Sequence, residues 1–106
     1  MILIVVKFRT KPEYTERWPE IVDEFTRATR AEPGNIFFEW SMSLDTDDEW
    51  VLVEAFQDDA AEAHVNSEHF QKAMKDLHPL ITQTPKIISR QIDGDDWDAM
   101  GELQIG

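Results

Sequence analysis

The residues from Pro33 to Phe56, PGNIFFEWSMSLDTDDEWVLVEAF, decide the fold. Pro33-Gly34 ends any helix before it, because proline drives its predecessor out of the helical region and glycine turns the chain. From Asn35 to Leu44 the sequence alternates, with Ile36, Phe38, Trp40 and Met42 on one side, which predicts a strand. Asp45-Thr46-Asp47-Asp48 is a polar turn. Glu49 to Gln57 reads as a second strand, antiparallel to the first. A hairpin in mid-chain with helical periodicity on both sides leaves few topologies open.

Toward the N-terminus, Ile2 to Arg9 reads as a strand with Ile2, Ile4, Val6 and Phe8 on one face. Leu3 and Val5 begin the other face, so this strand is expected to be buried on both sides. Lys11-Pro12 opens a helix, since proline suits the first turn. Trp18, Ile21, Val22, Phe25 and Ala28 recur at helical spacing and predict one continuous amphipathic helix up to Pro33. Glu13 and Glu16 lie near its positive end, Arg27 and Arg30 near its negative end.

Toward the C-terminus, Asp59 is the expected N-cap of a short helix, with Glu62 completing a capping box. Asn66-Ser67 interrupts that helix, and Ser67 can cap its continuation. Phe70, Ala73, Met74 and Leu77 form the next apolar stripe, and Pro79 marks its end. Lys86 to Asp93 predicts a last strand, with Ile88 and Ile92 on one face and Ile87 on the other. The order strand, helix, strand, strand, helix, strand is a ferredoxin-like split βαβ pattern, βαββαβ. The expected fold is α+β: a four-stranded antiparallel sheet with helices on one face. Residues 1–93 form this domain. Residues 94–106 form an acidic C-terminal tail whose Trp97, Met100, Leu103 and Ile105 predict docking on a dimer. No element is left to cover the other sheet face, and a second copy is the simplest cover.

Composition narrows the function. A chain of 106 residues makes one domain. A net charge of −12 disfavours nucleic acid and anionic membrane as partners. There is no cysteine, which excludes disulfides, thiolate metal sites and cysteine nucleophiles. The apolar N-terminal run is too short to span a membrane and lacks the flanks of a signal peptide, so a cytoplasmic location is expected. A calcium loop counted from Asp45 would need glycine and glutamate where Trp50 and Phe56 stand, so no metal is expected there.

The chemistry is concentrated between Glu54 and Phe70. Two of the three histidines, His64 and His69, sit there beside Phe56 and Phe70. Imidazole is the side chain suited to moving protons near neutral pH. Glu54 in a strand is a candidate pocket acid or a paired surface carboxylate. Asn35 after Pro-Gly is either turn chemistry or a hydrogen-bond donor.

Pro33-Gly34-Asn35, Phe38-Glu39-Trp40, Glu54-Ala55-Phe56 and His64-x-x-Ser67-x-His69-Phe70, in this order, resemble the antibiotic biosynthesis monooxygenase domain of the dimeric α+β barrel superfamily. The resemblance runs from Ile2 to about Ile92. It implies a homodimer whose sheets close a shared barrel and a pocket in each subunit between sheet and helices. Some members of the family are quinol or anthrone monooxygenases that use no cofactor. Their substrate, once deprotonated, supplies the electrons to O2. Such chemistry needs a proton acceptor, oxyanion donors and a dry aromatic pocket. The resemblance implies His64 or His69 as acceptor, Asn35 and the other histidine as donors. Phe38, Trp40, Leu52, Glu54, Phe56, Phe70 and Met74 would contact a small aromatic substrate. Oxidising members often carry tryptophan where Phe56 stands and polar groups where Leu52 stands. Haem-degrading members carry tryptophan, histidine and asparagine where His64, Met74 and Lys7 stand, so no haem is expected. The alternative is a non-catalytic, small-molecule-binding or accessory dimer on the same fold.

Overall fold

The computed structural model describes all residues from Met1 to Gly106. Strands β1 (Ile2–Arg9), β2 (Asn35–Met42), β3 (Glu49–Phe56) and β4 (Lys86–Gln91) form one antiparallel sheet in the order β2-β3-β1-β4. Helices α1 (Pro12–Thr15), α2 (Trp18–Ile21), α3 (Asp23–Arg30), α4 (Ala61–Val65) and α5 (Glu68–Leu77) lie on one face. This is the ferredoxin-like α+β arrangement that the element order predicts. No helix is long and apolar enough to cross a membrane.

Strand pairing assigns the two faces. Ile4, Val6 and Phe8 of β1 lie opposite Glu54, Leu52 and Trp50 of β3, which in turn oppose Phe38, Trp40 and Met42 of β2. On this helix side Val6, Phe8, Phe38, Trp50 and Leu52 meet Trp18, Val22 and Phe25 in the core, Ile4 and Trp40 pack against it, and Met42 at the strand end is exposed. Leu3, Val5, Phe37, Val53 and Ile88 belong to the alternate set and face the other way, where no helix covers them.

The structure corrects the sequence reading in four places. The helix expected to run unbroken from Pro12 is three short pieces. Pro19 has no N–H to give to the Thr15 carbonyl, and that carbonyl instead accepts the Trp50 indole N–H at 2.9 Å. Ile36 does not share a face with Phe38 by simple alternation. Pairing shifts between Asn35 and Phe37, so Ile36 is the extra residue of a β-bulge. Asp59 does not cap α4; the cap position is Ala60, which makes no side-chain hydrogen bond there. Gly34 is needed for room and not for a left-handed turn. A Cβ added to it would lie 2.1 Å from the Ala60 Cβ, so the start of β2 and the start of α4 touch only because Gly34 has no side chain. That contact sets how closely α4, and with it His64, approaches the sheet.

Ser67 behaves as expected: its Oγ accepts from the Phe70 N–H at 3.2 Å and caps α5. The same hydroxyl donates to the His64 carbonyl at 2.7 Å, which fixes α4 and α5 to each other. Beyond β4, the N-terminal ammonium of Met1 donates to the Ile92 and Gly94 carbonyls at 3.0 and 3.1 Å. The tail then crosses the uncovered face, where Trp97 stacks on Phe37 with ring centroids 5.0 Å apart.

Candidate active site

Between sheet and helices lies an apolar cavity of about 230 Å³. Ile4, Val6, Phe8, Leu52 and Glu54 form its floor, Pro85 and Ile87 one side, and Phe25, His64, Val65, Phe70 and Met74 its roof. Val65, Met74 and Ile87 are partly open to solvent, at 43, 39 and 62% exposure, so the cavity opens past an apolar lip. Its only ionisable lining groups are Glu54 and His64.

His64 is 3 % exposed. Phe56 stacks on its ring at 4.6 Å, and Phe70 meets it edge-on at 5.1 Å. Its Nδ1–H donates to Glu32 Oε2 at 2.7 Å. His69 Nε2–H donates to the same oxygen at 2.6 Å. A carboxylate oxygen accepts and does not donate, so each ring gives its proton to Glu32. In the neutral form of the His64 ring the lone pair is then on Nε2, which lies 3.7 Å from Glu54 Oε1, beyond direct hydrogen-bond distance. This is the carboxylate-oriented imidazole from which general bases are built.

Glu54 is 5 % exposed and has no lysine or arginine partner. Burial, reinforced by the nearby Glu32 charge, pushes its carboxyl up to about 8. Near neutral pH it is therefore a carboxylic acid, able to donate a hydrogen bond into the cavity.

Of the residues singled out in the sequence, His64, Leu52, Glu54, Phe70 and Met74 line the cavity together. Phe56 stands behind His64 as its stacking partner. Phe38 and Trp40 belong to the core beside it; the Trp40 indole donates to Thr26 Oγ1 at 2.9 Å. His69 lies outside the cavity and reaches His64 only through Glu32. Asn35 is at the β-bulge, where its amide donates to the Phe37 and Ala55 carbonyls at 3.0 and 3.2 Å. Both amide hydrogens are thus used within the sheet.

Glu32 escaped the sequence reading. It sits between Ala31 and Pro33 at a helix end, where an acid reads as solvated. The available signal was indirect: two histidines in an apolar segment need acceptors, and a carboxylate next to the Pro-Gly turn could supply them. Phe25 reads as part of a core stripe, Ile87 as one face of the last strand and Val65 as part of no stripe, so none of the three marks a cavity in the sequence.

A split βαβ sheet with one helix-covered face, and an apolar cavity lined by an oriented histidine and a neutral carboxyl, define a small ferredoxin-like α+β domain with an internal cavity. The chain belongs to the antibiotic biosynthesis monooxygenase family, whose sequence profile matches residues 1–76. Among solved structures it is similar to a candidate antibiotic biosynthesis monooxygenase from Deinococcus radiodurans. That likeness has a TM-score of 0.80 and 20% identity over 95% of this chain and 100% of the other. A second such protein, from Nitrosomonas europaea, gives a TM-score of 0.77 at 24% identity over 86% of this chain and 97% of the other. A protein from Shewanella oneidensis gives 0.74 at 26% identity over 84% of this chain and 87% of the other. No curated protein matches the chain by sequence.

Proposed function

We propose that this protein is a cofactor-independent monooxygenase that oxidises a small aromatic, quinol- or anthrone-like compound with O2. The observation that carries the reading is His64: buried in the cavity wall, held through Nδ1 by Glu32, with Nε2 making no hydrogen bond within the protein. Nε2 takes the acidic proton of the bound substrate. The resulting anion transfers one electron to O2, and the two radicals combine to a peroxide. His64 returns its proton to that peroxide, and loss of water leaves a carbonyl. For an anthrone the balance is CH2 + O2 → C=O + H2O, so no outside reductant is required. Neutral Glu54 donates a hydrogen bond to the oxygen on which charge develops. The apolar lining from Ile4 to Met74 keeps water from the anion. A cavity of 230 Å³ is below the usual ~300–1,000 Å³ of ligand sites and favours a compact ligand.

The same reading makes the protein a homodimer through the uncovered sheet face, where Val5, Val53 and Ile88 would meet a second copy. A second reading, a non-catalytic binding dimer, is favoured by Asn35, whose amide is unavailable to a substrate. Oxygen uptake with hydroquinones and anthrones, using metal-free and flavin-free protein, separates the two. The monooxygenase should consume O2, and His64→Ala should lower turnover by about 10²–10⁴-fold. Ligand binding without O2 uptake, equal in wild type and His64→Ala, would favour the binding dimer.

A further inference from the structure

We propose that Glu32, His64 and His69 form a binding site for one divalent transition-metal ion of the zinc class, placed on the outer side of the cavity wall. The three residues come from separate parts of the chain: the loop after α3, helix α4 and helix α5. Their ligand atoms, Glu32 Oε2, His64 Nδ1 and His69 Nε2, lie within 4.8 Å of one another. Two imidazole nitrogens and one carboxylate oxygen suit zinc, cobalt or nickel and not calcium or magnesium, which prefer all-oxygen sets. Metal–ligand bonds of about 2.0–2.2 Å around a tetrahedral ion put the ligand atoms about 3.3 Å apart. The two Glu32 contacts, at 2.6 and 2.7 Å, must lengthen to reach that spacing, and the two imidazole nitrogens start within 4.8 Å of each other.

Charge and placement argue for a cation independently of the spacing. Glu32 and Glu54 both lie within 4 Å of His64, and neither has a lysine or arginine partner. The wall therefore contains no lysine or arginine to compensate the Glu32 carboxylate. The framework is prearranged: Ser67 fixes α4 to α5, and Phe25 packs against both imidazoles at 5.9 and 6.3 Å. Access comes from outside, because the His69 side chain is 23% exposed and that of Glu32 15%. The fourth metal position would face solvent and hold water, as in open zinc sites.

Occupancy would also act on the cavity, and this consequence rests on the monooxygenase reading. A metal on Nδ1 leaves the remaining imidazole proton on Nε2. His64 would then donate toward the substrate and could not accept from it. The ion would be an inhibitor and not a cofactor.

The test uses the full chain, stripped with a chelator and titrated with Zn²⁺ by calorimetry and with Co²⁺ by visible absorption. The expected result is one ion per chain, an intense tetrahedral cobalt spectrum and a raised thermal midpoint. His69→Ala and, separately, the isosteric Glu32→Gln should each weaken binding by more than about 100-fold, beyond the cost of losing an outer-shell partner. His78→Ala, which removes a histidine outside the cluster, should leave binding unchanged. His69 is partly exposed, so its variant folds even if Glu32→Gln does not. Absence of one-to-one binding, an octahedral cobalt spectrum, or full affinity in His69→Ala would overturn the site. On active protein, Zn²⁺ should inhibit O2 uptake and a chelator should restore it; uptake unaffected at saturating Zn²⁺ would overturn the inhibition alone. Calorimetry and absorption need no substrate, so failure of the metal site is distinguishable from failure of the monooxygenase reading.

Discussion

Glu39 and Glu54 stand one position out of step on adjacent strands of one sheet. Glu39 pairs with Val53 on the uncovered face and is exposed; Glu54 pairs with Phe38 on the helix side and is buried. The first is an ordinary surface carboxylate position. The second is pushed up to about 8 and has a histidine for a neighbour. Residue type is the same and the chain separation small, so the difference lies in what packs above each face. Helices over one face create a buried compartment in which a carboxyl changes character. The other face remains an apolar surface with one tail residue laid on it.

The largest expected effect tests this asymmetry through packing. Phe38→Ala, under the helices, should destabilise the fold by about 3–5 kcal/mol in denaturant titration. Phe37→Ala, its neighbour on the uncovered face, should cost under about 1.5 kcal/mol. Equal costs would mean that the two faces are equally packed and the contrast is void.

Next comes the charge on the covered face. The Glu54 carboxyl has an ordinary value near 4.5 and rises to about 8 on folding. Below pH 4.5 it is protonated both folded and unfolded, and its burial carries no pH-dependent cost. As pH rises toward 8 the unfolded chain ionises it while the folded chain does not, so stability falls across that window. In metal-free protein, Glu54→Gln should remove this decline, by an amount on the order of a few kcal/mol at pH 8. Parallel stability–pH curves for the variant and the parent would show that Glu54 is not desolvated.

The uncovered face is sharpened by Ile88→Asp. Ile88 is 61% exposed in the single chain, so an aspartate there should leave the fold intact. If the face meets a second copy, the same charge would be buried, and dimer dissociation should rise at least about tenfold, or 1.4 kcal/mol, in sedimentation equilibrium. An unchanged dimer would move the interface elsewhere. The smallest effect belongs to Trp97→Ala. Loss of its stacking on Phe37 should lower stability by about 0.5–1.5 kcal/mol, read as a small fall in thermal midpoint.

Legibility from sequence followed the range of the interactions. β1 and the start of β3 were readable because alternation and the polar turn at Asp45–Asp48 are local patterns. Ser67 was readable because a serine cap acts three residues away. The break at Pro19 was not, because the stripe from Trp18 to Phe25 keeps helical spacing across it. The group that replaces the lost hydrogen bond, Trp50, is also remote in sequence. Gly34 was read as a turn residue, and only its approach to Ala60 reveals that it is a spacer. In the site, His64 and Glu54 were visible as ionisable groups among aromatics. Glu32 was not, because its role depends on histidines 32 and 37 residues further along. Asn35 carried a plausible donor, but the bulge that uses its amide depends on pairing that no local pattern encodes.

The tryptophans divide as the faces do, which gives the molecule a built-in optical label. Of the four, Trp18 and Trp50 are buried and Trp40 partly so, whereas Trp97 is 66% exposed. Emission from the first three reports the helix side; emission from Trp97 reports the tail and the surface beneath it. An anionic collisional quencher should silence Trp97 and spare Trp18 and Trp50, although the acidic tail will weaken that quenching at low salt. A neutral quencher should remove the salt dependence. With Trp97→Phe as the blank, one fluorescence measurement can follow events on the two sides of the same sheet independently.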